Sequence, residues 1–163
     1  MLIAFVMGES YKLGGAEMQI RDVMTQGAEI INADAPAREA AAKMREYDVG
    51  SLPVCNGKRL EGFLTDRDIA VRLVAPGLDP SKTKVRDIMT PDATYCFDDQ
   101  TLEEAAAVME AHQRRRLPIM NRKKDLIGML SLGDLAVRAQ GTEDGELADE
   151  ALKDISEPSE PNR

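Results

Sequence analysis

Two copies of one unit fill most of this chain. Ile20-Arg21-Asp22-Val23-Met24-Thr25 returns as Val85-Arg86-Asp87-Ile88-Met89-Thr90, an offset of 65 residues. The correspondence runs on through Glu39 and Glu104, Met44 and Met109, and Pro53 and Pro118. After a one-residue insertion it continues through Gly62, Thr65, Asp68 and Ile69 against Gly128, Ser131, Asp134 and Leu135. A unit this short cannot bury both faces of its own sheet, so each copy is expected to be stable chiefly when packed on its twin. The chain therefore divides into an unmatched stretch 1–17, a first repeat 18–75, a linker 76–84, a second repeat 85–139 and a tail 140–163.

Each copy carries the same succession of patterns. A lead-in ends at Met-Thr, and a short apolar strand follows, Ala28–Asn32 or Thr94–Phe97. A helix comes next. In the second copy Thr101 and Glu104 have the spacing of a capping box, and Leu102, Ala105, Ala106 and Met109 fall on one face. In the first copy Ala37, Ala40, Ala41 and Met44 repeat that face, behind a Pro36 suited to a first helical turn. Two strands are then predicted, Ser51–Cys55 and Leu60–Thr65, joined through Asn56-Gly57. Their counterparts are Leu117–Asn121 and Leu126–Ser131, and closing helices cover Asp66–Val74 and Leu132–Ala139. With 4% aromatic residues and no Trp, the core must be built from aliphatic residues and methionine. The expectation is an α+β fold of two pseudosymmetric β-α-β-β-α units packed through their small sheets. Ala75-Pro76-Gly77-Leu78-Asp79-Pro80 has the chemistry of a surface connection.

Charge and residue usage exclude several functions. The formal charge is -8, which argues against a nonspecific nucleic-acid binder. Most of that deficit sits in residues 140–163, so a local basic cluster elsewhere remains able to bind an anion. Cys55 and Cys96 are too few for a disulfide framework or a cysteine-rich zinc site and read as buried thiols. His112, near a helix end, reads as a solvated or dipole-stabilising residue. No stretch is long enough to cross a bilayer, and a soluble cytoplasmic protein is expected. No nucleophile–base pair, P-loop, GxGxxG fingerprint or metal cluster suggests an enzyme. Met18 directly precedes the repeated motif and is expected to be the natural translation start. The acidic segment Glu146–Ile155 can form one helix; a docked helix and a disordered tail both stay open.

The T/S-x-x-D motif at each strand-to-helix junction has two readings. A carboxylate at Asp68 or Asp134 is an acceptor-only group able to take both vicinal hydroxyls of a ribose, with helix-start amides holding a phosphate and Ile30, Val49 and Leu52 enclosing a base. The same spacing also makes an ordinary capping box that binds nothing. The run Arg114-Arg115-Arg116 is open in the same way. Its members read either as phosphate contacts, centred on Arg115 with Arg67 as a second donor, or as surface ion-pair partners. Gly133 stands where the first copy has Arg67, so the two sites should not be equivalent.

Taken together, Met24-Thr25 and Met89-Thr90, Gly50-Ser51-Leu52-Pro53, and Gly62-Phe63-Leu64-Thr65-Asp66-Arg67-Asp68-Ile69 with its counterpart Gly128–Leu135 resemble the tandem CBS domain. This family is named after cystathionine β-synthase, and its paired form is called a Bateman module. The chain looks most like the small stand-alone bacterial members. The resemblance implies a non-enzymatic regulatory module for an adenine nucleotide or related adenosyl ligand, with no cofactor required, and two clefts built crosswise from the two copies. One would use Thr65, Arg67 and Asp68 with Thr90, Ala93, Tyr95 and Arg114. The other would use Ser131, Gly133 and Asp134 with Thr25, Ala28, Ile30, Val49 and Gly50. It further implies a homodimer shaped as a flat disc and a separate regulated protein. A scaffold or stress-associated interaction protein with no nucleotide ligand is the alternative.

Overall fold

The computed structural model describes residues 12–13 and 16–139. A two-residue pair, β1 (Lys12–Leu13) with β2 (Ala16–Glu17), precedes a 3-10 turn at Ile20–Asp22 and β3 (Thr25–Gln26). Then come α1 (Ala37–Glu46), β4 (Ser51–Asn56), β5 (Arg59–Thr65) and α2 (Asp66–Asp68), which runs on as a π-helical stretch, Ile69–Val74. The second copy supplies α3 (Val85–Ile88), β6 (Thr90–Pro91), β7 (Cys96–Phe97), α4 (Leu102–Ala111), β8 (Arg116–Met120), β9 (Leu126–Ser131) and α5 (Leu132–Ala139). This is the mixed α+β fold expected from the pattern.

The sheets exchange strands between the copies. β6 of the second copy pairs with β5 of the first, Phe63 opposite Thr90 and Gly62 opposite Pro91, completing a sheet ordered β4-β5-β6. β3 of the first copy pairs with β9 of the second, Thr25 opposite Met129, in a sheet ordered β3-β9-β8-β7. The compact units of the structure accordingly cut across the repeats. One comprises Thr25–Phe97 with Leu117–Met129; the other holds the described residues up to Met24, Asp98–Arg116 and those from Leu130 onward.

In the first of these units Ala37, Ala40 and Met44 of the face expected on α1 are buried with Ile31, Ala33, Leu52, Val54, Leu64, Leu73, Val85 and Ile88, whereas Ala41, expected on the same face, is exposed. Each large aliphatic side chain taken out of water here contributes roughly 1.5–3 kcal/mol. In the other unit Met18, Ile20, Leu102, Ala105, Met109, Leu130 and Leu132 are buried. Both long helices end alike. Asp48 (φ 52°) and Gln113 (φ 50°) adopt the left-handed conformation, which lets Val49 N donate to Met44 O and Arg114 N to Met109 O in the pattern of a Schellman cap.

Prolines explain where the expected first strands fail. Ala28–Asn32 is not a strand; only Ile31 bridges to Val54, donating to Pro53 O and accepting from Cys55 N. Extending that parallel ladder one step back needs an N–H at residue 53, and proline has none. Pro118 limits β7 in the same way, so Thr94–Phe97 shrinks to Cys96–Phe97, with Cys96 opposite Ile119. Other departures are local. The first hairpin turns at Gly57-Lys58, since Asn56 still pairs with Arg59. The extra residue of the second copy lies in its hairpin loop, where Lys124 is left-handed (φ 65°) and the Asn121 side-chain carbonyl accepts from Lys123 N and Asp125 N. Pro36 is the N-cap of α1 rather than its first turn. The lead-ins contain short helical turns, Ile20–Asp22 and Val85–Ile88. The Thr101–Glu104 capping box forms as expected. Residues 75–80 are exposed, whereas the stretch 1–11 and the acidic segment 146–155 lie outside the described residues.

Candidate functional site

At the end of β5 the chain turns directly into α2, and Thr65 is the N-cap. Its hydroxyl accepts from Asp68 N (3.1 Å), while Asp68 Oδ2 accepts from Thr65 N (2.9 Å) and from the Thr65 hydroxyl (2.8 Å). The capping reading of the motif is therefore realised, and only one carboxylate oxygen is spent on it. Asp66 N donates to Gly50 O and Arg67 N to Asp66 Oδ1 (2.7 Å). Every amide of this first turn is thus committed. An aspartate at position 66 also caps the turn with negative charge, so it is not the open phosphate cradle that the spacing suggested. Gly50 is exposed, and a Cβ there would lie 3.1 Å from Asp66 Oδ2.

The second oxygen of Asp68 faces an arginine that sequence reasoning passed over. Arg72 Nη1 lies 3.7 Å from Asp68 Oδ1, with the two side chains 44% and 15% exposed. The same nitrogen donates to Ile88 O (3.0 Å), Met89 O (2.9 Å) and the Thr90 hydroxyl (3.3 Å). Arg72 sits in the π-helical stretch, a wide turn often found at functional positions. Its i+4 spacing from Asp68 was the one available signal. Asp68 and Thr90, expected together, thereby meet at one guanidinium, and Thr65 is tied to Asp68 by the cap. The approach of β6 to β5 that brings Thr90 here depends on Gly62, where a Cβ would stand 2.6 Å from Thr90 O. Ala93 is half-buried and Tyr95 exposed, and Tyr95 packs edge-on against Phe97, centroids 5.5 Å apart. The Arg67 side chain is exposed and makes no hydrogen bond or ion pair with the described residues.

The second motif repeats the cap. Asp134 Oδ2 accepts from Ser131 N and the Ser131 hydroxyl, both at 2.7 Å, and the Ser131 hydroxyl accepts from Asp134 N. Gly133 is exposed. Arg115 contributes its carbonyl to Leu132 N at the start of α5; the side chains of Arg114, Arg115 and Arg116 are exposed, without ion pairs among the described residues. The remaining residues of the expected second cleft belong to the other compact unit. There Thr25 is exposed, Ala28 and Ile30 are half-buried, and the Ile30 carbonyl accepts from Lys43 Nζ. Val49 packs against the core. Leu52, expected to help enclose a base, is fully buried within that core and lines nothing.

The other reactive groups are quiet. Burial, helped by the charge of Glu61, pushes the Cys55 thiol up to about 11, and Cys96 is buried as well. His112 is the exposed C-cap of α4. Among the described residues no helix is long and apolar enough to cross a membrane, and no three His, Cys, Asp or Glu side chains group as metal ligands.

Comparison with known proteins agrees with this architecture. The CBS domain family matches residues 20–75 and again residues 85–140. The CBS domain-containing protein YhcV of Bacillus subtilis is 38% identical over 137 residues, covering 84% of this chain and 94% of that protein. Among solved structures, Hypoxic Response Protein I, described with two coordinated zinc ions, has a TM-score of 0.68 at 35% identity, covering 74% of this chain and 98% of that one. CBSX2 in complex with AMP has a TM-score of 0.66 at 26% identity, covering 76% and 96%. Two family matches on the two copies, and relatives that are themselves small CBS-domain proteins, establish that the chain belongs to the CBS domain family as a CBS pair.

Proposed function

We propose that this CBS pair is a non-enzymatic regulatory module that binds an adenosine-containing ligand and passes occupancy on through altered packing. The observation that carries the reading is the meeting of Asp68 Oδ1, free of the cap, with Arg72 and the Thr90 hydroxyl within hydrogen-bonding or ion-pair range of one nitrogen. An ionised carboxylate oxygen accepts from ribose hydroxyls, and a threonine hydroxyl both donates and accepts. The AMP bound to the related CBSX2 supports adenosine as the ligand class. A ligand can shift the packing only by its difference in affinity for the two arrangements. The second expected cleft, a homodimer, a cytoplasmic location and a separate regulated protein belong to the same proposal.

Thermal shift against AMP, ADP, ATP, NADH and S-adenosylmethionine tests it. A ligand that binds only the folded state raises the midpoint, by about 2.7 kcal/mol of stabilisation at one hundred times its Kd. The shift is expected with at least one of these and should vanish in Asp68→Ala. Because it is read as the difference with and without ligand, the lost cap does not enter. No shift with any of them favours the scaffold reading, which gains from the use of both Asp68 and Asp134 as caps.

A further inference from the structure

We propose that the two hairpin loops form a basic patch that receives the acidic segment 143–160 of the same chain. Both loops lie in one compact unit, and Leu126 N donates to Lys58 O (2.9 Å), which ties their tips together. Lys58 and Arg59 stand on one tip, and Arg122, Lys123 and Lys124 on the other; all five are exposed. Acids do not balance them. Asp125 is half-buried and held on Asn121, its Oδ2 accepting from Asn121 Nδ2 (3.3 Å) and its amide donating to Asn121 Oδ1 (2.9 Å). Glu61, in β5, is half-buried too. Lys58, Arg59, Lys123 and Lys124 enter no ion pair among the described residues, and the Arg122 guanidinium lies over the Phe97 ring, 4.2 Å from its centroid. Like charges held on joined turns repel one another, so an anion laid across them lowers their energy.

Charge and tether select the occupant. Residues 140–163 carry eight acids, from Glu143 to Glu160, against Lys153 and Arg163, a net charge of -6 in a chain of -8. This stretch extends to about 80 Å, so reach does not restrict which face it meets, and attachment raises its effective concentration to about millimolar. A free nucleic acid or an anionic membrane has no such advantage and meets the repulsion of the same segment. The exposed run Arg114-Arg115-Arg116 is the weaker candidate. It has three cations rather than five and follows directly on α4, which carries Glu103, Glu104 and Glu110. The second family match ends at residue 140, so the contact is a feature of this chain and not of the repeat. None of the five cations lies in the ligand site proposed above.

Limited proteolysis of the full chain with a glutamate-specific protease tests this, the cuts within 143–160 being followed by mass. The chains compared are the parent, the triple variant Lys58→Gln/Lys123→Gln/Lys124→Gln, its charge-keeping counterpart with Arg at the same three positions, and Arg114→Gln/Arg115→Gln/Arg116→Gln. At low salt the parent is expected to be cut at least about threefold more slowly than the lysine-to-glutamine variant, as for a segment about two-thirds docked, since cleavage follows the undocked population. The gap should close at about 0.5 M salt, where screening shortens to about 4 Å. The lysine-to-arginine variant should keep the slow rate. So should the arginine-run variant, which loses the same charge elsewhere. Equal rates in the parent and the lysine-to-glutamine variant, or protection lost only in the arginine-run variant, overturn the proposal. Protection that fades on dilution of the chain overturns it by placing the segment on a second copy. Binding of a fluorescent single-stranded oligonucleotide by the parent, lost in the lysine-to-glutamine variant, overturns it in favour of a nucleic acid.

Discussion

Replacing Gly62 by alanine puts the strand exchange under direct strain. The added Cβ would lie 2.6 Å from the Thr90 carbonyl oxygen and 2.9 Å from Met89 Sδ, and ordinary contact begins at 3.4 Å. The methionine can swing aside. The carbonyl cannot, because it belongs to the backbone of β6, so β6 must retreat by about 0.8 Å, the difference between 3.4 and 2.6 Å. β6 pairs with β5 through only two residue pairs, and the Arg72 contacts to Ile88 O, Met89 O and the Thr90 hydroxyl oppose its retreat, so the strain falls on them as well. Overpacking of this kind costs about 1–3 kcal/mol, or about 2–4 °C in midpoint for each kcal/mol in a chain of this size. Urea denaturation of Gly62→Ala should show a lower midpoint with an unchanged slope. Gly57→Ala is the control, having φ +61° and no atom within 4 Å, so its cost is purely conformational, about 1–2 kcal/mol. Since Ile88, Met89 and Thr90 hold Arg72, Gly62→Ala should also weaken any AMP-dependent shift. Stability within about 0.5 kcal/mol of the parent would refute the reasoning.

Two further perturbations probe the backbone and the core. At the left-handed helix ends, Asp48→Gly and Gln113→Gly should each stabilise the chain by about 0.5–1 kcal/mol, read from urea midpoints; no gain at either would mean that the side chains there contribute more than the strain they impose. Cys55, at about 11 against an ordinary 9.0, holds its proton through a range in which the unfolded chain releases it. Below pH 9 both states are protonated; from about pH 9 to 11 the unfolded state binds fewer protons, so stability falls with rising pH by at most about 1.4 kcal/mol per unit. Stability curves of the parent and Cys55→Ala should converge over that interval, and parallel curves would contradict it.

The duplication exposed most of the fold because its periodic faces are set locally. Ala37, Ala40 and Met44 are buried as spaced, though Ala41 at the edge of that face is exposed, and Thr101 with Glu104 caps α4 as their separation requires. What was hidden depends on partners distant in sequence. That Pro53 would truncate a strand at Ile31 is visible only once the two are known to be parallel neighbours. The motif residues Thr65, Asp68 and Thr90 were legible, as was the capping alternative that Asp68 and Asp134 adopt. Arg72 was not, because its partners are mainly main-chain carbonyls, which carry no side-chain signature. Leu52 was misplaced since an apolar residue beside a motif reads the same whether it lines a cleft or fills a core.

The traded lead-in strands have a consequence for the integrity of the chain. Because β6 completes a sheet begun by the first copy, and β3 one formed by the second, a cut within residues 75–80 leaves each fragment missing a partner that the other owns. Co-expressed halves are expected to complement one another and separately expressed halves to aggregate. At high concentration, two whole molecules can trade these same segments in trans.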